Sequence, residues 1–462
     1  MRRLAEVGLL ADDVGIETSF TRARLVEARP EEAPVDWQLV VLLRRRASEQ
    51  ITAAIAGRTG PLTEVDRRLL GRSVVRTVVR DHVDALSTNG EALWPIAVEQ
   101  AYALAVENAI FGYGRLQPLF EIADAENVEI HGCDSVLVQY SDGRREPRPP
   151  VADSDEELVE AIRFLGESVS PARPFDDAHP MLTLALGDRF RLHAIGFGLS
   201  YRPSITIRQH TLTDIDLRRL SDGGMMPAEV ARFLHAAVLA RKSMVISGDQ
   251  GAGKTTLLRA LIAAIPENER FGTLETDYEL LTHLQPHRRN MLALQSRVGM
   301  GEVLHGRRVG EFTVADLIPE ALRQNLSRLI VGEVRGGEAG AMFEAMTAGA
   351  GTLSTTHSHS AASTMDRLAS RVAQGGVLTI EEAYRQIAHH IGLLIHVRLV
   401  DDTWRGGLRT RTVAEIRQLT GGLENGRPVT HLAYREGDGE HWFNPDPDLL
   451  AELAPFTAAW ES

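Results

Sequence analysis

One stretch of eight residues constrains this chain more than any other. Residues 248–255 read Gly-Asp-Gln-Gly-Ala-Gly-Lys-Thr and match the pattern G-x-x-x-x-G-K-[ST]. An apolar run at 244–247 comes directly before it, and a helical pattern over 256–265 follows. This is the strand–loop–helix context that the motif requires, because the glycines let backbone N–H groups surround an anion and the helix N-terminus adds its dipole. The sequence therefore predicts a phosphate-binding loop for a nucleotide.

Within this loop, each residue type has an expected task. Lys254 would reach the β- and γ-phosphates, and the Thr255 hydroxyl would bind Mg²⁺. The expected nucleotide-binding set is Gly248, Gly251, Ala252, Gly253, Lys254, Thr255 and Thr256. The basic residues support the assignment, since 48 of the 50 are arginines and the two lysines are Lys242 and Lys254. A chain that uses arginine almost everywhere else keeps a lysine where the motif calls for a compact ammonium group.

Three more candidate residues come at the ends of predicted strands. Glu333 closes the apolar run 329–332, and an acid there can lie beside Mg²⁺ and the attacking water. Glu275 closes the run 271–274 and is expected to direct water or Mg²⁺. His357 follows the run 352–356, where a sensor of the γ-phosphate could lie. The sequence thus predicts that Thr255 and Glu333 hold Mg²⁺, in part through water, and that ATP is the nucleotide.

The pattern of apolar residues divides the chain into segments with different predicted secondary structure. Helical periodicity before residue 111 predicts a small bundle, alternating strands and turns predict an α+β domain, and helices alternating with short apolar strands predict a parallel sheet. The predicted segments are a flexible arm (1–35), a helical bundle (36–111), an α+β domain (112–211), a linker (212–226), a P-loop domain (227–436) and a C-terminal tail (437–462).

Composition excludes several other classes of protein. The net charge of −13 argues against a surface that coats nucleic acid. A single cysteine, Cys133, rules out an intramolecular disulfide and a cysteine-based zinc site. We find neither a signal-peptide pattern nor an apolar run long enough to cross a bilayer, so we expect any membrane association to be peripheral, through a partner.

These motifs together resemble the secretion ATPase superfamily of type II secretion, type IV pilus and type IV secretion systems. The resemblance covers about residues 110–420 and is strongest to the CpaF/TadA-like branch, which powers tight-adherence pili. It rests on seven motifs in order: residues 112–119, 173–180 and 204–208, the P-loop 248–255, the Asp box at 274–275, the Walker B segment 330–338 and the His box 353–357.

The resemblance implies a RecA-like ATPase fold, in which the preceding α+β domain clamps nucleotide. It also implies a homohexameric ring on the cytoplasmic side of the membrane, with inner-membrane platform proteins as partners. By the same resemblance, Arg191 and Arg208 would contact phosphates as arginine fingers, and Arg335 would couple neighbouring sites. The family's Asp box has Glu-Asp, whereas this chain has Glu275 followed by Thr276, with Asp277 one place later.

Two other functions remain open from the sequence. One is a type IV secretion ring ATPase or a DNA-translocating P-loop motor, against which the acidic net charge counts. The other is a regulator that binds nucleotide without hydrolysing it, which the altered Asp box makes conceivable. The sequence favours a motor that hydrolyses Mg-ATP and drives pilus assembly or protein export.

Overall fold

The computed structural model describes residues 35–57, 60, 62–90, 92–169, 172–210, 214–299, 302–304, 306–334, 338–376, 378–437 and 439–460. Nearly all of the arm expected over 1–35, the start of the linker expected at 212, and Arg335 lie outside these residues. The chain divides into two compact units, residues 1–117 and 118–462. The second unit therefore contains both the α+β segment and the P-loop segment.

The described part of the first unit is a bundle of three helices. They are α1 (Trp37–Ala56), α2 (Glu64–Thr88) and α3 (Ile96–Phe111), within the segment 36–111 that the apolar periodicity predicts to be a helical bundle. Their shared core is Val40, Leu43, Ala47, Val75, Val78, Val79, Tyr102, Ala105, Val106 and Ala109.

The starts of α1 and α2 are set by their N-cap residues. The side chains of Asp36 and Thr63 accept hydrogen bonds from backbone N–H groups in the first turns of α1 and α2. Val65 and Leu69, two apolar residues in the first turns of α2, are 67% and 57% exposed. Helical spacing identifies an apolar stripe, but neighbouring helices decide how much of its width is covered.

The second unit begins with a short helix and a mixed α+β segment. Among the described residues the strands form one antiparallel sheet in the order β3-β2-β1-β6-β5-β4. The elements are α4 (Gln117–Phe120), β1 (Ala125–His131), β2 (Ser135–Tyr140), β3 (Arg145–Arg148), α5 (Asp155–Ser168), β4 (Met181–Leu186), β5 (Phe190–Ile195) and β6 (Ser204–Gln209). Alternate residues of β4, β5 and β6 are buried, which explains the period-two pattern of the sequence.

The remainder of the second unit contains a larger mixed sheet. Its described strands run in the order β17-β16-β15-β14-β7-β13-β12-β8-β9. The strands are β7 (Met244–Gly248), β8 (Phe271–Glu275), β9 (Met291–Gln295), β12 (Arg328–Val334), β13 (Leu353–His357), β14 (Leu393–Asp401), β15 (Arg409–Glu424), β16 (Arg427–Arg435) and β17 (Trp442–Phe443), and a separate hairpin joins β10 (Val303–Leu304) to β11 (Arg307–Arg308).

Strand directions in this sheet determine where the loops meet. β13 and β14 both pair in parallel with β7, and β12 pairs in parallel with β13 and β8. The parallel core predicted from the alternation of helices and strands is therefore confirmed. β14 is parallel to β7 and antiparallel to β15. The carboxyl ends of β7, β13 and β12 consequently lie side by side.

Helices cover both faces of this sheet. They are α6 (Leu217–Asp222), α7 (Ala228–Leu239), α8 (Lys254–Ala263), α9 (Val314–Leu322), α10 (Glu338–Ala348), α11 (Ala361–Gln374), α12 (Ile380–His390) and α13 (Pro447–Thr457). The two cores form on opposite faces, because neighbouring residues of β7 such as Val245 and Ile246 belong to different clusters. The observed fold is thus an α/β P-loop domain preceded by an α+β segment and a helical bundle. No helix of the described residues is long and apolar enough to cross a bilayer.

Two segments that the sequence assigned to a flexible linker and a tail are packed parts of the fold. Within 214–226, α6 buries Leu217 and Leu220, and Met225 is buried behind it. At the other end, α13 buries Leu449 and Leu453 in the same core as α7. Both segments have polar compositions, but their few apolar side chains are spaced to lie on one helical face.

Candidate nucleotide site

The P-loop joins the end of β7 to the start of α8, as the motif predicts. Gly248 has a φ of 153°, and a Cβ atom there would lie 2.3 Å from the carbonyl oxygen of Val397 on β14. Gly253 has a φ of 93° and immediately precedes α8. Both positions need glycine, the first for close approach of two backbones and the second for a left-handed conformation. Ala252 is fully buried and supports the loop from within.

Lys254 is buried, and its ammonium group is held at the centre of the loop. Its Nζ atom donates hydrogen bonds to the carbonyl oxygens of Gly248 at 3.0 Å and Asp249 at 2.8 Å. It also lies 3.2 Å from Nδ1 of His357. The P-loop backbone therefore fixes the position of a positive charge.

Glu333 and His357 lie next to this lysine, although they are far from it in sequence. Glu333 is near the carboxyl end of β12, and His357 ends β13. Nε2 of His357 is 2.9 Å from Oε1 of Glu333, so the imidazole lies between the carboxylate and Lys254. When the ammonium group donates to Nδ1, the ring proton is on Nε2, the nitrogen within ion-pair distance of the carboxylate. The parallel strand order thus brings together three residues that the sequence identified separately.

These residues line a cavity of about 1600 Å³. Lys254, Thr255, Thr256, Glu333 and His357 all contribute to its wall. Among the described residues, no group of three or more His, Cys, Asp and Glu side chains could hold a metal ion by itself. Mg²⁺ usually takes one or two protein oxygen ligands together with phosphate oxygens. The Thr255 hydroxyl and the Glu333 carboxylate therefore suit Mg²⁺ delivered with a nucleotide.

Glu275 is placed differently from the expectation that it directs water or Mg²⁺. It is 3% exposed and does not line the cavity. Its Oε1 atom accepts hydrogen bonds from the backbone N–H groups of Glu279 at 2.9 Å and Leu280 at 2.8 Å. Burial raises the pKa of this carboxyl to about 7, against the lowering effect of the two N–H groups. In this structure Glu275 holds the loop that follows β8.

The two arginines expected to contact phosphate occupy neighbouring positions on the α+β sheet. Arg191 and Arg208 are directly paired in register on β5 and β6. Arg208 lines the cavity, and its Nε atom is 3.5 Å from Oδ1 of Asn127. Arg191 instead forms ion pairs with Asp277, at 2.9 Å, and Glu279. Arg191 is therefore bound by the acidic residues that follow the Asp box, and of the two arginines Arg208 faces the cavity.

Sequence reasoning missed several charged residues of the cavity wall. Arg259, on the second turn of α8, donates hydrogen bonds to the backbone carbonyl of Glu279, and its pKa is lowered to about 10 by burial. Arg409 and Arg411 on β15 and Glu126 on β1 also line the cavity. One available signal was the Arg-Thr-Arg sequence at 409–411, because residues two apart on a strand share a face.

Comparison with protein families now identifies the class. A family model described as "Type II/IV secretion system protein" matches residues 152–415, more than half of the chain. The chain belongs to this family, and with it to the secretion ATPase superfamily that its motifs resemble.

Individual relatives agree with this assignment. The chain is 29% identical over 329 residues to a protein of Mycobacterium tuberculosis (strain CDC 1551 / Oshkosh) named "Putative conjugal transfer protein". This alignment covers 69% of this chain and 88% of the relative. It is 31% identical over 198 residues to the protein VirB11 of Agrobacterium fabrum (strain C58), covering 42% of this chain and 54% of that relative.

Two solved structures are among those that this chain matches. The VirB11 ATPase of the Brucella suis type IV secretion system, in complex with sulphate, matches with a TM-score of 0.34 and 22% identity over 74% of this chain and 95% of that one. The pilus retraction motor PilT with bound ADP matches with a TM-score of 0.45 and 16% identity over 75% of this chain and 88% of that one.

Proposed function

We propose that this chain is the ATP-hydrolysing motor of a type II secretion or tight-adherence pilus system, in the CpaF/TadA-like branch. The observation that carries the proposal is the contiguous arrangement of Lys254, His357 and Glu333 beside the P-loop. A cation for the phosphates, a carboxylate near the place of the attacking water and an imidazole between them are the parts that phosphoryl transfer needs.

Each residue has a separate role in this proposal. Lys254 binds the β- and γ-phosphate oxygens, and the backbone of the P-loop with Thr255 and Thr256 at the start of α8 orients them. Thr255 and Glu333 would hold Mg²⁺ bound with ATP, and the ion would there neutralise phosphate charge. Glu333 also orients the attacking water, and His357 senses the γ-phosphate through its contacts with Lys254 and Glu333.

Around this centre, the α+β segment closes the cavity and Arg208 supplies positive charge from that side. Glu275 and Arg191 act indirectly, through the loop that follows β8. The assembled motor is proposed to be a homohexamer on the cytoplasmic side of the membrane, attached through inner-membrane platform proteins. Closure of the α+β segment around the nucleotide then moves the platform proteins.

A phosphate-release assay on the assembled ring tests the enzymatic part of the proposal. Glu333→Gln is expected to leave nucleotide binding within about threefold and to lower turnover by about 10²-fold or more, since it removes the water-orienting carboxylate. Lys254→Ala should abolish binding. Glu320→Gln on α9, where the side chain is 65% exposed, is the matched control and should behave as the unsubstituted protein. Normal turnover by Glu333→Gln contradicts the role assigned to Glu333. If the unsubstituted protein binds nucleotide but does not hydrolyse it, the result favours the nucleotide-binding regulator.

A type IV secretion or DNA-translocating role is a second candidate, favoured by the naming of the M. tuberculosis relative as a conjugal transfer protein. The net charge of −13 weighs against direct contact with DNA. Turnover that rises on addition of double-stranded DNA and returns to its basal rate in high salt would support this candidate. Turnover that is indifferent to DNA favours the pilus motor.

A further inference from the structure

Three charged residues meet at the rim of the nucleotide cavity, from opposite ends of the second unit. Nη2 of Arg411 lies 2.7 and 2.8 Å from the two carboxylate oxygens of Glu126. Nη1 of Arg409 donates to Oε2 of the same carboxylate at 3.0 Å. Glu126 is on β1 of the antiparallel sheet, whereas both arginines begin β15 of the larger sheet. Two guanidinium groups thus enclose one carboxylate.

This cluster is partly withdrawn from water, and two arginines share the one carboxylate of Glu126. The side chains of Arg409, Glu126 and Arg411 are 8%, 21% and 22% exposed. Asp401 makes a longer ion pair with the cluster, because its Oδ2 atom is 3.7 Å from Nε of Arg409, beyond hydrogen-bond distance. Within the described part of the chain, that buried Nε atom has no hydrogen-bond acceptor. The two arginines can therefore bind an anion with more negative charge and more acceptor oxygens than a carboxylate.

The cluster also contacts the P-loop directly. Nε of Arg411 donates to the carbonyl oxygen of Gly251 at 2.8 Å. A Cβ atom at Gly253 would lie 3.4 Å from Cδ of Arg411, and one at Gly251 would lie 3.2 Å from Nη2 of Arg409. The missing side chain at Gly251 therefore lets Arg409 lie close against the loop that is expected to hold phosphate, and Arg411 is in ordinary van der Waals range of Gly253. All three charged residues share the cavity wall with Lys254.

We propose that Arg409 and Arg411 form a phosphate subsite of the nucleotide cavity, and that Glu126 occupies it as an internal competitor. A phosphate group of the nucleotide displaces the Glu126 carboxylate from the two guanidinium groups. This exchange releases the contact between β1 and β15, so that nucleotide binding and movement of the α+β segment are linked. The inference rests on the proposed function, because it assigns further residues to the same nucleotide site.

The expected effect follows from the competition. If Glu126 occupies the arginines in about nine molecules of ten, the apparent affinity for phosphate is reduced about tenfold. Glu126→Gln removes the negative charge with little change of shape and should therefore raise the apparent affinity for phosphate about tenfold. Arg411→Gln should weaken binding, and adding Glu126→Gln to it should produce little gain, because the competed group is gone.

Titration calorimetry of the full chain with ADP and with inorganic pyrophosphate tests these expectations without relying on turnover. Glu126→Gln should bind both probes about tenfold more tightly. Glu126→Asp retains the charge on a shorter side chain and should show a smaller gain. Glu146→Gln on β3 of the same sheet, whose side chain is 41% exposed, is the matched control and should bind as the unsubstituted chain does.

The outcomes separate this inference from the proposed function. Wild-type binding of ADP that Lys254→Ala abolishes supports the nucleotide site itself. With that established, equal or weaker binding by both Glu126 variants overturns the competition. A gain that persists in the Glu126→Gln, Arg411→Gln double variant also overturns it, since the carboxylate would then act elsewhere. Failure of the wild-type chain to bind ADP overturns the proposed function and this inference with it.

Discussion

Replacing Glu275 by Gln separates a structural role from a catalytic one at the end of β8. The amide keeps a carbonyl oxygen that can accept from the backbone N–H groups of Glu279 and Leu280. It differs from the acid chiefly in that it cannot ionise. We expect turnover of Glu275→Gln to stay within about threefold of wild type, whereas Glu333→Gln loses about 10²-fold or more.

The magnitude and sign of the stability effect follow from the raised pKa of Glu275. Burial raises it from an ordinary 4.5 to about 7. A carboxyl whose pKa is higher in the folded state binds its proton more tightly there, so its stabilising contribution is complete below pH 4.5. That contribution disappears as the pH rises through 7. At 1.36 kcal/mol per pKa unit, the loss is about 3 kcal/mol.

Chemical denaturation followed by circular dichroism, at intervals from pH 4.5 to 8, measures this change. The relevant quantity is the difference in the free energy of unfolding between wild type and Glu275→Gln at each pH. This difference cancels the titration of other groups that both proteins share. As the pH rises from 4.5 to 8, this difference should shift by about 3 kcal/mol in favour of Glu275→Gln. The same difference measured for Glu320→Gln should stay near zero.

Two results would refute this reasoning. A difference that does not change with pH would mean that Glu275 titrates at its ordinary value and is not enclosed as the structure shows. A loss of turnover as large as that of Glu333→Gln, with unchanged stability, would mean that Glu275 acts on the reacting groups.

Two further perturbations test the packing around the site. Arg328→Met removes a fully buried guanidinium that pairs with both oxygens of Glu269 at 2.6 and 2.9 Å. The carboxylate keeps the hydrogen bond from the Ser327 hydroxyl and a 3.5 Å ion pair with Arg241, so the substitution should cost about 3 kcal/mol in urea denaturation. Arg323→Gln, 70% exposed, is the control and should cost less than about 1 kcal/mol. Gly248→Ala places a methyl group 2.3 Å from the carbonyl oxygen of Val397, so we expect a lower melting temperature and weaker ADP binding, and an unchanged melting temperature would contradict the close approach.

Local patterns in the sequence predict much of the framework. The P-loop, the start of α8 and the three bundle helices depend on residues close together in the chain, and the structure has them where the patterns indicate. The candidates Glu333 and His357 were also identifiable, because each comes at or next to the end of a largely buried strand. Their roles in catalysis remain predictions.

The contacts of Glu275, Arg191 and Arg411 could not be predicted in this way. Glu275 ends a strand as Glu333 nearly does, yet it is buried beneath the following loop. Arg191 pairs with Glu279, 88 residues away, and Arg411 with Glu126, 285 residues away. Polar composition likewise favoured a linker at 212–226, where two leucines of α6 are buried in the core.

The sequence by itself thus determined the phosphate-binding loop, the strand-end acid and histidine, and the class of protein, because each depends on a short run of residues with its own local conformation. Tertiary structure decided which charged groups face the nucleotide cavity. Parallel pairing of β7 with β13 aligned His357 with Lys254, while packing of the antiparallel sheet beside β15 enclosed Glu126 between two arginines. A side chain's ionic partner depends on distance in space and on access to water, and neither quantity is contained in the spacing of residues along the chain.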